Sequence, residues 1–439
     1  MINTAEVYMW GTRIGIIHLP EDRPYLSFEY DRDFIRSGIE LSPISMKLSN
    51  RVYEFPDLAE TSFHGAPGLI VDSLPDRFGN AVISKWLVSQ GRGERDFNII
   101  DRLCYTGSRG MGALEYTPSS GPKIGESEAV DVDSMVRFAS DILQDRANFN
   151  ISTSDELAYE QLLQLGTSAG GARAKAVIAW NSKTNEIRSG QVEAGHGFEY
   201  YLIKFDGVIK NGDHALDDIP EYTLIEYAYY KMAVKAGINM TESRILSKNG
   251  RNHFMTKRFD RADGGKIHMQ TLGAVAHIDY NVPDLCSYEQ AVSYMRQMNL
   301  PASDIEQFYR RMVFNVLAVN QDDHVKNTSF LMDRTGKWRL SPAYDITFSY
   351  DTGNKWISAH QMTVNGKTSE ISMHDLMQSG RNMDISSARC RRIINEVQGA
   401  VNGWHDIADS CGIKEKTFEM IDHVIKETKT KFLNGECAK

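Results

Sequence analysis

The chain lacks any run of about eighteen uncharged apolar residues, the length a membrane-crossing helix needs, so no transmembrane helix and no membrane partner are expected. Cysteine is sparse. The five residues, Cys104, Cys286, Cys390, Cys411 and Cys437, form no Cys-x-x-Cys pair. An odd, dispersed set argues against a disulfide framework and a structural zinc site, and it suits a reducing cytoplasm. The opening MINTAEVYMWGTRIGIIHL has no basic region ahead of an apolar core, so it does not read as a secretory signal. Positive charge is not in excess: the net charge is −9, which removes nucleic acid as the default direct partner. Internal repeats and low-complexity tracts are absent as well.

What is present is ordinary globular material, with 41% hydrophobic and 24% charged residues. At 439 residues the chain exceeds the size at which single cores stop growing, so two lobes or domains are expected. The stretch 117–135, TPSSGPKIGESEAVDVDSM, reads as an exposed connector and sets off residues 1–116 as an N-terminal unit. That unit opens with short strands and continues with a helix ending near Gly91, then helix, Gly-rich turn and strand over 95–118. From about 155 the pattern is mixed. AKAVIAWNSKTNEIRSG reads as a hairpin and FEYYLIKFDG as a strand, while PEYTLIEYAYYKMAVKAG is a helix stopped by Gly237. Helices then dominate. In SDIEQFYRRMVFNVLAVNQ, Ser303 and Glu306 suggest a capping box, and Ile305, Phe308, Met312, Val316 and Val319 form one apolar stripe.

The segment after that helix is the richest in chemistry. Residues 320–327, Asn-Gln-Asp-Asp-His-Val-Lys-Asn, contain one apolar side chain, Val325. The strand TSFLMD follows, then the turn Asp333-Arg-Thr-Gly336, the strand KWRL, and Ser341-Pro-Ala-Tyr-Asp345. One β-hairpin would therefore bring Asp345 back beside the loop, so that Asp322, Asn327 and Asp345 converge. Phosphoryl transfer needs such a set. Magnesium prefers carboxylate and amide oxygens, and one further carboxylate must orient or deprotonate the attacking hydroxyl. Protein kinases place the base Asp five residues before a metal-binding Asn, as Asp322 and Asn327 stand here. Asp and Asn also favour caps and turns, so each residue alone would be unremarkable; the order helix, loop, hairpin, Asp is the more specific signal.

Other constellations are weaker. The Gly-rich Leu165–Lys175 segment could offer backbone N–H groups to a phosphate, though it lacks the Gly-Lys-Ser/Thr of a P-loop; a flexible hairpin connection would look the same. Ser168 sits at its tip as a candidate modification site. Lys204, among aromatic and aliphatic neighbours, needs an anionic partner or a snorkelling route to water. Glu226 could pair with it or face solvent. Lys257-Arg-Phe-Asp260-Arg could be a strand-to-linker crossing that stacks an adenine.

PGLIVDSLPDRFGNAVI, GSRGMGALEY, GTSAGGARAK, YLIKF, TKRFDR, NQDDHVKNTSF, LSPAYD and HQMTVNGK occur in an order that resembles the HipA-like serine/threonine kinases of bacterial toxin–antitoxin systems, over nearly the whole chain. The resemblance implies an α+β, bilobal protein-kinase-like fold with ATP between the lobes. The corresponding division is 1–116 as the N-terminal subdomain, 117–150 as connector and start of the core, 151–262 as nucleotide-binding lobe and 263–439 as helical lobe. It implies Asp322 as catalytic base, with Asn327 and Asp345 as Mg2+ ligands. The nucleotide would be lined by His324, Val325, Lys326, Asn327, Tyr344 and Asp345. Lys204 would contact phosphate, and Lys257, Arg258 and Phe259 would hold adenine. Gly170, Gly171, Ala172, Arg173, Ala174 and Lys175 would form the phosphate loop, and Ser168 would be the autophosphorylated serine whose modification switches the enzyme off.

The resemblance further implies a cytoplasmic protein substrate of translation, such as an aminoacyl-tRNA synthetase, with growth arrest as the outcome. The partner would be a HipB-like helix-turn-helix antitoxin, and operator DNA would be reached mainly through it. Two departures stand out. Asp323 replaces the Gly of some members, putting extra negative charge near metal or substrate. Arg173-Ala-Lys175 replaces Gln-Glu-Lys, adding positive charge near the phosphates. A small-molecule kinase of aminoglycoside-phosphotransferase type and a non-catalytic regulator remain as alternatives.

Overall fold

The structure is a computed structural model that describes residues 1–89, 91–121, 131–143, 173–191, 193–208, 221–262 and 265–434. The chain divides into two interleaved compact units: Met1–Glu40, Leu48–Thr223 and Glu242–Met269 form the first, and Leu41–Lys47, Leu224–Thr241 and Gln270–Lys439 the second. The helix Tyr222–Lys235, which the division drawn from the sequence assigns to the nucleotide-binding lobe, belongs to the second unit from Leu224 onward.

The first unit holds two antiparallel sheets. One has the order Val52–Glu54, Ser27–Tyr30, Thr12–His18, Thr4–Met9, Leu114–Thr117. Alternation along Thr4–Met9 buries Ala5, Val7 and Met9 on one face, as a half-buried strand should. Gly15 is needed for close approach: a Cβ there would lie 2.4 Å from the Glu29 carbonyl oxygen and 2.8 Å from the Phe28 ring. The helix Ile99–Thr106 begins with a capping box of Asn98 and Asp101, and Asp101 also accepts from the Ile2 N–H at 3.0 Å.

The second sheet runs Glu186–Ser189, Lys175–Asn181, Glu199–Lys204, Arg251–Lys257, Ser243–Lys248. Its inner face (Ile178, Tyr201, Ile203, Met255) shares one core with the helices Arg77–Ser89 and Val132–Leu143 through Phe78, Val82 and Val136. Each such side chain taken from water contributes about 1.5–3 kcal/mol. A buried ion cluster fixes the exit of this sheet. Arg258 Nε and Nη2 donate to Asp260 at 2.8 and 2.6 Å, Arg261 Nη1 donates to it at 2.7 Å, and the Gly112 N–H at 2.8 Å. Burial alone would raise the Asp260 carboxyl, but the two guanidinium groups outweigh it and hold the pKa well below the usual range.

The second unit is helical around Ala302–Leu317, with Tyr288–Gln297, Met373–Asn382, Ser387–Val401, Trp404–Ser410 and Glu415–Asn434. The predicted stripe Ile305, Phe308, Met312, Val316, Val319 is buried, and so are Arg310, Arg311 and Asn315, because this helix is enclosed on most sides. Its polar side chains find partners: Arg310 Nη1 donates to the Ala236 carbonyl at 2.7 Å, and its Nη2 pairs with Glu396 at 2.7 Å.

The capping box expected from Ser303 and Glu306 does not form. Pro301 is the N-cap, which places Ser303 inside the first turn, and Glu306 pairs instead with Arg389 at 2.7 Å. Among the described residues no helix is long and apolar enough to cross a membrane.

Candidate active site

The central helix ends at a strained residue. Val319, after the C-cap Ala318, has φ +56°, a left-handed conformation that a β-branched side chain rarely adopts. Three backbone hydrogen bonds hold it there. Asn320 N–H donates to the Asn315 carbonyl at 2.9 Å, Ser349 N–H to the Val319 carbonyl at 3.1 Å, and Gln321 N–H to the Ser349 carbonyl at 3.0 Å. The chain is thereby turned out of the helix into a loop with a fixed start.

The loop closes on a 3-10 turn, Val325–Asn327, capped by His324, whose Nδ1 accepts from the Lys326 N–H at 3.2 Å. That bond places the histidine proton on Nε2, which lies 3.6 Å from Asp322 Oδ1. The predicted hairpin follows as Ser329–Met332 and Trp338–Leu340, with Phe330 opposite Leu340 and Met332 opposite Trp338. Its turn depends on Asp333, which accepts from the Gly336 N–H at its carbonyl (3.0 Å) and from the Thr335 N–H at its side chain (2.8 Å). Gly336 supplies the φ of +83° that the turn requires. The strand returns so that Ser341 N–H meets the Ser329 carbonyl at 2.9 Å, and Asp345 follows in a left-handed conformation, φ +52°.

This route brings Asn327 and Asp345 to one small cavity of about 20 Å³, lined also by Thr328, Tyr344, Asn320 and Asp323. Asn327 Nδ2 donates to the Asp322 backbone carbonyl at 2.8 Å, so the atom it can present to a cation is Oδ1. One amide oxygen and one carboxylate match the way Mg2+ is held, by few protein oxygens plus substrate phosphates. The Asp322 side chain is 45% exposed. Tyr344 pins the turn from below: its OH donates to the Lys326 carbonyl at 2.7 Å and also meets Ser329 Oγ. Lys326 Nζ lies 4.3 Å from the centroid of the Tyr280 ring, a cation–π contact.

Asp323 behaves differently from the expectation of extra charge facing metal or substrate. Although it borders the cavity, both its oxygens are engaged by buried donors. Gln361 N–H donates to Oδ1 at 2.7 Å, while Tyr288 OH (2.7 Å) and His360 Nδ1 (2.9 Å) reach Oδ2. Asn315 Nδ2 then donates to Tyr288 OH at 3.0 Å, and Asn320 Nδ2 to Asn315 Oδ1 at 3.0 Å. Burial and the neighbouring Asp323 charge raise the Tyr288 hydroxyl well above its ordinary pKa, which keeps it a donor.

The first unit carries the remaining expected residues that are described. Lys204 and Lys175 stand directly opposite each other on paired strands, and both are buried. Like charges so placed repel. The Asp76 side chain, 5% exposed, lies with Oδ2 3.4 Å from Lys175 Nζ. Lys204 Nζ lies 6.0 Å from the Phe254 ring centroid, and the Arg173 guanidinium stacks 4.5 Å from that of Tyr222. Lys257 pairs with Glu199 and holds that carboxyl below its usual pKa. The Arg258 guanidinium pairs with Asp260, and Phe259 is half-buried. Ala174 is buried, and Glu226, in the second unit, is 2% exposed. Gly170, Gly171, Ala172 and Ser168 lie outside the described residues.

Sequence reasoning did not single out Tyr288, His360, Gln361, Asn315, Asn320 or Asp76. His360 and Gln361 begin the HQMTVNGK motif and Asp76 lies in SLPDRFGN, so their motifs were visible but their pairings were not.

Comparison with known proteins bears on this geometry. Y4mE of Sinorhizobium fredii (strain NBRC 101917 / NGR234), which carries a provisional kinase name, is 24% identical over 348 residues, 77% of this chain and 75% of its own. HipA of Shewanella oneidensis MR-1, solved within a toxin–antitoxin complex of HipA, HipB and operator DNA, aligns over 97% of this chain and 96% of its own, with a TM-score of 0.67 at 15% identity. That likeness bears out the α+β, kinase-like fold class expected from the sequence. A family model for the HipA N-terminal domain matches residues 5–117, one for the HipA-like C-terminal domain matches residues 167–430, and the chain therefore belongs to the HipA-like family.

Proposed function

We propose that this chain is an ATP- and Mg2+-dependent protein kinase that phosphorylates serine or threonine. The observation that carries the reading is the return of Asp345, by way of a hairpin, to the cavity that Asn327 lines, one turn from an exposed Asp322. Asp322 accepts the proton of the attacking hydroxyl or orients it, and the tautomer of His324 directs an N–H toward the same carboxylate. Asn327 Oδ1 and Asp345 hold Mg2+, which when bound offsets charge on the β- and γ-phosphates. In the first unit, the buried Lys204 and Lys175 stand opposite each other on paired strands, a concentration of positive charge suited to a polyphosphate. Catalysis on this reading is mainly placement and electrostatics.

The finer reading rests on the family. The substrate is a cytoplasmic translation protein such as an aminoacyl-tRNA synthetase, autophosphorylation at Ser168 is the off-switch, and a HipB-like antitoxin is the partner. Operator DNA is reached mainly through that antitoxin. The presence of HipB and operator DNA with the Shewanella protein supports this assembly.

The test is incubation with γ-labelled ATP and a cell lysate. Label on protein that disappears with Asp322→Gln, while nucleotide binding persists, is the expected result. Label confined to small solutes would replace this reading with the small-molecule kinase, and undiminished labelling by Asp322→Gln would remove Asp322 as the base.

A further inference from the structure

The 32 residues between the strand Trp338–Leu340 and the helix Met373–Asn382 contain neither helix nor strand. So long an irregular connection inside a packed unit is uncommon and is usually functional. It is not loose. At one point Ser349 forms a parallel bridge with Asn320, and at another Thr363 forms one with Ser287. Between these, the connection is tied to the loop that carries Asp322 by a single side chain: His360 and the Gln361 N–H both bind Asp323.

Asp323 is 5% exposed, His360 4% and Tyr288 2%. A carboxylate so placed is costly unless its lone pairs are met. Here three donors converge on it from two separate segments, the start of the helix Tyr288–Gln297 and the connection itself. The carboxylate can only accept, so His360 must carry its proton on Nδ1, the opposite of the tautomer that the loop imposes on His324. Asn315 and Asn320 extend the same chain of hydrogen bonds back to the helix that delivers the loop. Since Asp323 follows Asp322 directly, its three bonds fix the peptide that aims the Asp322 side chain.

We propose that Asp323 is a positioning residue for phosphoryl transfer. It acts through Asp322 by locking the catalytic loop to the 341–372 connection, with Tyr288 and His360 as its partners. The proposal rests on the kinase reading. A carboxylate misplaced by about 1 Å costs on the order of 10²-fold in rate, while a nucleotide held by other residues binds as before. Asp323→Ala is therefore expected to lower kcat by roughly 10²-fold with the KM for ATP changed less than about threefold. Tyr288→Phe, which removes one of three donors and keeps the ring, is expected to lower kcat by about tenfold.

Hydrogen exchange supplies the readout that does not depend on activity. Amides of 320–327 and of Gln361 should exchange at least about tenfold faster in Asp323→Ala, with the helix Ala302–Leu317 unchanged. Wild-type kcat in Asp323→Ala overturns the proposal, and so does a raised KM at unchanged kcat, which would make Asp323 a nucleotide-binding group. If Asp323→Ala does not fold, Tyr288→Phe and His360→Gln decide by the same two measurements, and wild-type values in both overturn it. If the wild-type chain labels no protein, the kinase reading falls, and the exchange measurement alone judges the lock.

Discussion

Replacing Asp260 by Asn keeps the shape of the side chain and removes its charge. Asp260 is fully buried, the Arg258 side chain is 2% exposed and that of Arg261 16%, so the substitution leaves two guanidinium groups without their counter-charge in a site that water hardly reaches. Removing one partner of a buried ion pair costs about 3–5 kcal/mol. With a urea dependence of about 2 kcal/mol per molar, the midpoint of the transition that unfolds the first unit should fall by roughly 1.5–2.5 M.

The pH dependence has a definite sign. The folded-state pKa of Asp260 is depressed, so its contribution is fully present above the unfolded value of about 3.9 and is lost as pH falls through the lower folded value. The gap between wild type and Asp260→Asn should therefore be flat from about pH 5 to 8 and narrow only below about pH 4. Chemical unfolding followed by far-ultraviolet circular dichroism at several pH values measures both effects. A midpoint shift below about 0.5 M at neutral pH, or a gap that closes near pH 6, would refute the reading of Asp260 as the ionised counter-charge of Arg258 and Arg261.

Three further outcomes are expected. Gly15→Ala forces a Cβ against the Glu29 carbonyl and should cost about 1–3 kcal/mol in the first unit, seen as a lower midpoint without a change in nucleotide affinity. Asp345→Asn should abolish protein labelling and weaken nucleotide binding in Mg2+ far more than in EDTA; equal affinities under the two conditions would exclude Asp345 as a metal ligand. Ser168→Ala should remove self-labelling, and an intact-mass gain after ATP equal to that of wild type would reject Ser168 as the acceptor.

Local pattern was informative wherever one segment decides the outcome. The stripe from Ile305 to Val316 is a helical face whatever packs on it, and the Asp333–Gly336 turn between two short apolar runs fixes a hairpin by its own chemistry. The approach of Asn327 and Asp345 followed from that hairpin alone. Partnerships between distant segments were not legible. Asp323 read as extra negative charge near metal or substrate because nothing near it in sequence shows that Tyr288 and His360, 35 and 37 residues away, close over it. Ser303 and Glu306 have capping-box spacing, but Pro301 had already set where the helix begins. Nor does the sequence show that Arg258 donates to Asp260, two residues on, and that Asp260 also accepts from the Gly112 N–H far upstream.

The second unit draws on three separate stretches of chain, and this governs how the protein can be divided or made. A fragment beginning at Gln270 would lack the Leu224–Thr241 stretch, leaving Arg310 without the Ala236 carbonyl and Tyr229 absent from its bond to Ala318. In the same way, the Leu41 carbonyl receives its hydrogen bond from Gln270, more than two hundred positions later. During synthesis from the amino end, the short Leu41–Lys47 piece therefore lacks its Gln270 bond until most of the polypeptide has emerged. The unit that holds Asp322, Asn327 and Asp345 is thus completed last, and a ribosome that stops before residue 320 releases a product without that loop.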